Sequence, residues 1–474
     1  MLDHHLSYIN GQWISPRANQ KSFTRYNPAT QEPLSTTTFC TEAGVDNAVN
    51  AARAAFEDYS KTSVAHRIAL LDRIIEVYQR RAEDFAQAVM AELGAPISFC
   101  RVAHVPSGLQ HFKVAREILN TYPFETSLGN ARIWKEPIGV CGLITPWNWP
   151  LNQVTCKVAP ALAAGCTVIL KPSELTPRCA TLLAEVLHEA GVPAGVFNLV
   201  LGDGPRVGRH LALHPGIDMV SFTGSTTSGK SVAQLAAQTV KRVTLELGGK
   251  SANIILPDAD LERTIQHAVS ACFKNSGQSC NAPTRLLVPH QHLTVVEEIA
   301  AKVARDIIVG APSDAATQLG PLVSASQFER VQHYIRSGLE QGARLLVGGP
   351  GIPQGLERGY FVKSTIFTEV TPEMSIASEE IFGPVLSIIP YASLADAIHT
   401  ANQTRFGLAS YLWGSDKKTL NSVAKQLRTG MVHINGAPLD FLAPFGGYRE
   451  SGNGREYGLY GFEEYLETKS VMGG

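Results

Sequence analysis

The chain has eight cysteines among 474 residues but no Cys-x-x-Cys pair, and no group of His, Cys, Asp or Glu at zinc-site spacing. A disulfide framework and a structural metal are therefore not expected, and a reducing, cytoplasmic setting is. Charge of one sign is lacking too. Lys and Arg number 41 against 42 Asp and Glu, a formal net charge of -1, so no field draws in nucleic acid or an anionic membrane. No apolar run approaches the ~18 residues of a membrane span. The opening MLDHHLSYINGQWISP lacks the basic and long apolar regions of a secretory signal. No nucleic-acid partner and no membrane partner are expected.

What is present is ordinary globular material, 44% hydrophobic and long enough for two or three domains. Tyr8-Ile-Asn-Gly-Gln-Trp-Ile14 reads as a hairpin, with Asn-Gly between apolar residues. Apolar spacing of three and four predicts helices over 45–56, 64–90 and 105–119, a layer covering a sheet. From Ile138 short apolar runs alternate with amphipathic helices, predicting strands at 138–145, 167–171, 196–201, 218–222 and 242–247. That alternation means a parallel α/β sheet, whose ligands bind beyond the carboxyl ends of the strands. A second alternation, from about 260 to 435, predicts another α/β domain, with strands near 284–288, 344–347, 385–390, 408–413 and 430–435. Segments 120–137 and 463–473 read as protruding antiparallel strands suited to pairing with another subunit.

The stretch Val243 to Thr284 holds a carboxylate, Glu246, at the end of an apolar run, and a thiol, Cys280, in the polar segment Asn275-Ser-Gly-Gln-Ser-Cys-Asn281. A charge at a buried strand end needs a reason, and a sulfur in a polar turn is reachable as a nucleophile. Taken alone, each has a plainer reading, a core cysteine and a solvated glutamate. Phe222-Thr-Gly224-Ser225 joins a strand to a helix in a turn whose N–H groups suit a phosphate. Its extension through Gly229-Lys230-Ser231 also fits the triphosphate-loop pattern, with Asp258 as a metal-holding acid, so an ATPase is an alternative. Lys171-Pro-Ser-Glu174 places a cation and a carboxylate where a ribose would lie, or forms a surface ion pair. Asn148, in Thr145-Pro-Trp147-Asn148-Trp149-Pro150, is either an oxyanion donor or a helix cap. Glu379-Glu380-Ile-Phe382-Gly-Pro384 offers a carboxylate and an aromatic face.

Together with Leu245-Glu-Leu-Gly-Gly-Lys250, Gly277-Gln-Ser-Cys280, Pro444-Phe-Gly-Gly447 and Ser451-Gly-Asn-Gly-Arg-Glu456, these motifs resemble the aldehyde dehydrogenase family nearly end to end and in family order. The 34-residue separation of Glu246 and Cys280 resembles the family's as well. The resemblance implies a Rossmann-type cofactor domain over 1–118 and 138–247, a catalytic α/β domain over 248–448, and an antiparallel oligomerisation segment formed by 119–137 and 449–474. It implies Cys280 as nucleophile, Asn148 as oxyanion donor and Glu246 as base for the water that releases a thioester. It further implies that Lys171 and Glu174 hold the adenosine ribose of NAD, Gly224 and Ser225 the pyrophosphate, Glu380 the second ribose and Phe382 the nicotinamide ring, with Thr145 and Trp147 nearby. Glu174 favours NAD, with NADP the alternative. The product implied is a free acid, against a coenzyme A ester in the branch that lacks the glutamate. The resemblance also implies a homodimer or homotetramer.

If 151 onward is helical, Asn152, Gln153 and Cys156 share a face beside Trp149, while Ser279 and Asn281 flank the thiol and Phe445 and Phe441 supply aromatic walls. This small, polar lining predicts an aldehyde with a polar or carbonyl-bearing tail. Tyr448-Arg449 departs from the Lys common in relatives but keeps a cation.

Overall fold

Two parallel sheets, each wound outward in both directions, organise the chain. The computed structural model describes residues 3–16 and 19–473, so residues 1, 2, 17, 18 and 474 of the segments drawn above lie outside it. The first sheet runs, edge to edge, through Gly452–Asn453, Arg242–Glu246, Met219–Thr223, Val140–Ile144, Thr167–Lys171, Phe197–Leu199, Tyr8–Ile9 and Gln12–Trp13. Its five middle strands are parallel and its two edges antiparallel. The chain lays down Val140–Ile144, winds away through the strands at 167 and 197, then returns to the other side with Met219–Thr223. A crevice opens where winding reverses, between the carboxyl ends of Val140–Ile144 and Met219–Thr223. Ile144, Thr223 and Glu246 end their strands there.

The N-terminal hairpin forms as its sequence predicts, Tyr8 opposite Trp13 and Ile9 opposite Gln12. Asn10 (φ 52°) and Gly11 (φ 80°) both adopt the left-handed conformation that a tight hairpin turn requires. The helix predicted over 64–90 is two, Val64–Arg80 and Ala82–Leu93, broken at Arg81, whose guanidinium joins Asp84 and Glu185. With Val105–Thr121 they form the covering layer, in which Leu70, Ile74, Phe85 and Phe112 are buried. Burial of each such side chain contributes about 1.5–3 kcal/mol. Beneath this layer every residue of the helix Pro150–Ala164 is buried, because neighbouring helices and strands enclose it.

The second sheet runs Arg344–Val347, Thr365–Thr368, Val385–Tyr391, Arg285–Pro289, Ala252–Ile255, Ala409–Trp413 and Met431–Ile434, parallel except at its first edge. Two of these strands, Ala252–Ile255 and Thr365–Thr368, were not among those predicted; all four residues of each are buried, so neither shows the polar–apolar alternation of a half-exposed strand. A third, antiparallel unit pairs Leu466–Met472, Ala131–Pro137 and Glu125–Leu128. The C-terminal segment 449–474 is therefore split rather than uniform. Gly452–Asn453 closes the first sheet beside Glu246, Gly458–Glu463 is helical, and only 466–472 joins the protruding strands. Among the described residues no helix is long and apolar enough to cross a membrane.

Candidate functional site

At the switch point lies a cavity of about 510 Å³, lined among others by Trp147, Asn148, Gln153, Gly224, Ser225, Glu246, Cys280, Glu380 and Phe382. Strand ends and turns deliver these groups. Gly224 N–H donates to the Glu246 carbonyl (3.0 Å), and Ser225 caps the helix Thr226–Ala236, its hydroxyl accepting from Ser228 N–H. That helix points its unpaired N–H groups and its positive end into the cavity, the local electrostatics an anionic phosphate needs.

The thiol arrives on a strained loop. Asn275 (φ 55°), Ser276 (φ 54°) and Gly277 (φ 70°) are all left-handed, and a side chain at 277 would press within 2.2 Å of the Gly383 carbonyl. Such backbone costs about 1–3 kcal/mol per non-glycine residue and persists only when neighbours fix it. They do. Asn275 Nδ2 donates to the Asn148 carbonyl (2.8 Å), Ser276 Oγ to the Gly320 carbonyl (2.9 Å), and Val323 N–H to Gln278 Oε1 (3.0 Å). Asn148 Nδ2 donates to the Gln278 carbonyl (3.1 Å), which aligns the amide beside the thiol loop and leaves its second N–H.

Opposite, the turn carrying Glu380 and Phe382 hangs from the helix Ala325–Glu340. Arg330 donates to the carbonyls of Glu380 and Ile381, Gln327 to that of Phe382 (2.8 Å), and Tyr334 to the Glu379 carboxylate (2.6 Å). Phe382 is itself left-handed (φ 64°) and meets Trp147 edge-on at 5.4 Å. Glu380 Oε1 accepts from Gly249 N–H (3.0 Å).

Both chemical groups are weak acids in this setting. Burial, then the nearby Glu456 carboxylate, holds Glu246 well above the usual carboxylate range, against the opposing pull of Lys157 and Arg455. Neither carboxylate oxygen has a hydrogen-bond partner within the described protein. Burial, then Glu380, Glu246 and Glu456, also raises the Cys280 thiol, and the Asn281 N–H opposes. A buried carboxyl with raised affinity for protons, facing the same space as a thiol, is equipped to take a proton from sulfur or water and give it up again.

Several expected positions differ. The triphosphate-loop reading fails: Lys230 lies at the surface, paired with Glu450 (2.8 Å), and Asp258 caps the segment Ser415–Asp416 beside the second sheet. Cys156 does not line the cavity; its thiol donates to Glu456 Oε2 (3.4 Å) in a buried cluster with Phe445 and Tyr457. Asn152 is likewise engaged, by Tyr457 and His111, and Trp149 donates to Ser279 Oγ (2.8 Å) while stacking on His104. Of the polar helix face only Gln153 reaches the cavity, and its Oε1 is buried without a partner. Asn281 contributes its carbonyl to Tyr411 Oη (2.9 Å). Lys171 is buried and sits 3.7 Å from Glu174 at the next strand end, beyond this cavity's lining, as is Thr145.

The sequence reading missed Lys157, fully buried, whose ammonium pairs with Glu456 and donates to Ser221 Oγ (2.9 Å). The signal was available: a lysine inside the otherwise apolar helix run Val154 to Ala164 has no solvated reading.

A thiol and a buried carboxyl share one cavity at the switch point of a doubly wound sheet, beside a helix N-terminus, an arrangement of the α/β enzyme class. The family model for the aldehyde dehydrogenase family matches residues 13–471, and the chain belongs to that family. It is 54% identical, over all of this chain and 99% of the relative, to a 3-succinoylsemialdehyde-pyridine dehydrogenase from a Pseudomonas species. Among solved structures, a variant of aldehyde dehydrogenase C from Pseudomonas syringae, in complex with NAD+ and octanal, superposes with a TM-score of 0.98 at 52% identity, over 99% of this chain and 96% of that one. A Mycobacterium tuberculosis aldehyde dehydrogenase bound to NAD+ gives 0.96 at 39% identity, over 100% and 99%.

Proposed function

We propose that this chain oxidises an aldehyde with a polar or carbonyl-bearing tail to the free carboxylic acid, using NAD. The observation that carries the reading is the joint presence of Cys280, Glu246 and Asn148 on one cavity with the capped helix start at Ser225 and the carboxylate of Glu380. The cavity fits a dinucleotide chemically: N–H groups at Thr226 and Thr227 for a pyrophosphate, Glu380 for ribose hydroxyls and Phe382 with Trp147 for a flat ring. Lys171 and Glu174 would hold the adenosine ribose, and the Glu174 carboxylate would repel a 2′-phosphate.

Cys280 Sγ, deprotonated with help from Glu246, adds to the aldehyde carbon, and the carbonyl pair of electrons becomes an oxyanion. The free N–H of Asn148 and the Cys280 backbone N–H stabilise that charge. As the oxyanion's electron pair re-forms the carbonyl, the C–H bond at that carbon breaks with its pair, for which NAD would supply the hydride acceptor, and a thioester remains on Cys280. Glu246 then takes a proton from water, whose oxygen attacks the thioester carbon; the C–S bond breaks, the thiolate recovers a proton and the acid leaves. Glu246 is what favours water over coenzyme A as acceptor.

The semialdehyde in the name of the Pseudomonas relative and the Gln153 Oε1 on the cavity, without a partner among the described residues, support a polar tail; octanal in the Pseudomonas syringae complex supports a second reading, an alkyl aldehyde. NADH formation from hexanal and from semialdehydes of equal length, without coenzyme A, separates them. A clear preference for hexanal refutes the polar tail, and a requirement for coenzyme A refutes hydrolysis. The strand Glu125–Leu128 is exposed along its length, which supports assembly as a homodimer or homotetramer by strand addition.

A further inference from the structure

The polar side chains on the two flanks of Cys280 differ in how they are engaged. On the aromatic flank, where Phe441, Phe445 and Tyr457 pack with the thiol, His111, Asn152 and Tyr457 bond one another at 2.8 Å each. Facing the 510 Å³ cavity, Asn148 commits one N–H to the Gln278 carbonyl. Gln153 commits neither end of its amide. It lines the same cavity and is only 4% exposed, yet its Oε1 has no partner, and among the described residues its amide nitrogen makes no hydrogen bond either. A buried amide without a partner is costly, and folded proteins keep few of them without a use.

Its place in the cavity says what that use is. Gln153 N–H bonds the Trp149 carbonyl (2.9 Å), which sets the residue in the first turn of the helix Pro150–Ala164, and Trp149 in turn bonds Ser279, next to the thiol. Lys157, four residues on, shares its helix face and lies within electrostatic reach of Glu246. The amide therefore belongs to the end of the cavity that holds Asn148, Glu246 and Cys280. Whichever way the amide is turned, one buried polar atom is left unpaired, an oxygen in one orientation and an N–H₂ in the other. A carbonyl would satisfy only the second and an ammonium only the first. A hydroxyl, which both donates and accepts, satisfies either.

Resting on the aldehyde oxidation proposed above, we infer that Gln153 is a specificity-determining residue whose amide bonds a hydroxyl on the second or third carbon of the aldehyde. The polar group of the substrate is then a hydroxyl set close to the reacting carbon, and the substrate class is a 2- or 3-hydroxyaldehyde. An alkyl aldehyde reaches the same thiol but leaves the amide bare.

The test compares kcat/KM for hexanal, 2-hydroxyhexanal, 3-hydroxyhexanal and 6-hydroxyhexanal in the wild type and in Gln153→Met, which keeps the side chain's length without its amide. The wild type is expected to favour one of the two near hydroxyls over hexanal by about tenfold, the worth of one hydrogen bond to a buried group, and to show no such preference for 6-hydroxyhexanal. In Gln153→Met the ratio should fall to about one. Should that variant not fold, Gln153→Asn, which draws the amide back by one carbon, takes its place with the same expected loss. No wild-type preference for either near hydroxyl, the result if a water serves Gln153 equally well, overturns the inference, and so does a ratio the variant leaves unchanged. A preference confined to 6-hydroxyhexanal overturns it too, since the hydroxyl would then be read far from the thiol. If none of the four aldehydes yields NADH, the oxidation reading fails instead. The inference is then decided by calorimetric titration with 2-hydroxyhexanoic, 3-hydroxyhexanoic and hexanoic acids, where a hydroxyl advantage lost in the variant supports it and equal affinities overturn it.

Discussion

Cys280 has two neighbourhoods, and they are built by different means. Toward the cavity, position is set by main chain: strand ends, a helix start, three left-handed residues and a turn suspended by carbonyl contacts from Gln327 and Arg330. Toward the aromatic cluster it is set by side chains, with His111, Asn152 and Tyr457 brought from three distant stretches into one hydrogen-bonded line. The difference teaches where variation is tolerated. The backbone facing the cavity holds only while the side chains of Asn275, Ser276, Gln278, Gln327 and Arg330 keep their bonds, whereas the aromatic cluster stands on ring contacts that can be exchanged one residue at a time.

The comparison can be broken most forcefully at the thiol. Cys280→Ala should reduce aldehyde oxidation by on the order of a thousandfold or more, while titration calorimetry finds NAD binding unchanged; loss of both would mean that the two neighbourhoods are not separable. Next, Glu246→Gln should lower steady-state turnover by about a hundredfold to a thousandfold and leave a burst of NADH as thioester accumulates. The sign of its pH dependence follows from the raised carboxyl: only the ionised form accepts a proton, so wild-type turnover rises with pH through a midpoint above the ordinary carboxylate range, and the variant loses that rise. Asn148→Ala, which removes the proposed oxyanion donor, should cost about a hundredfold in kcat with little change in KM. A smaller effect is expected at the cofactor's far end, where Glu174→Gln should improve NADP use relative to NAD by about tenfold, roughly the loss of one charge repulsion, read as a ratio of kcat/KM.

The same contrast explains what the sequence disclosed. Gly224-Ser225, Glu246, Cys280 and Glu380-Ile-Phe382 are legible because main-chain sites demand particular residues at fixed spacing, and the alternating runs from Ile138 revealed the sheet that gathers them. Asn152 and Cys156 were read as facing the substrate because helical periodicity says which residues share a face but not what covers it; Tyr457 and Glu456, some 300 residues away, cover these two. Lys157 stood out in its apolar helix run, but the run could not name its partner, Glu456, which lies some 300 residues on. Fully buried strands such as Thr365–Thr368 carry no polar–apolar alternation to detect, and their pairing energy comes from neighbours.

The loop bearing the thiol is tied to the first sheet's lobe twice, through Asn148 and through Val323, which packs in the first sheet's core, with Gly320 beside Gly94 as a further hold. A jaw-like swing of one lobe against the other would have to tear those ties, carrying the sulfur away from the Asn148 amide. Traffic of cofactor and product must therefore be accommodated by movement at the rim, and alterations anywhere along the seam between lobes should register as altered cysteine reactivity before they register as unfolding.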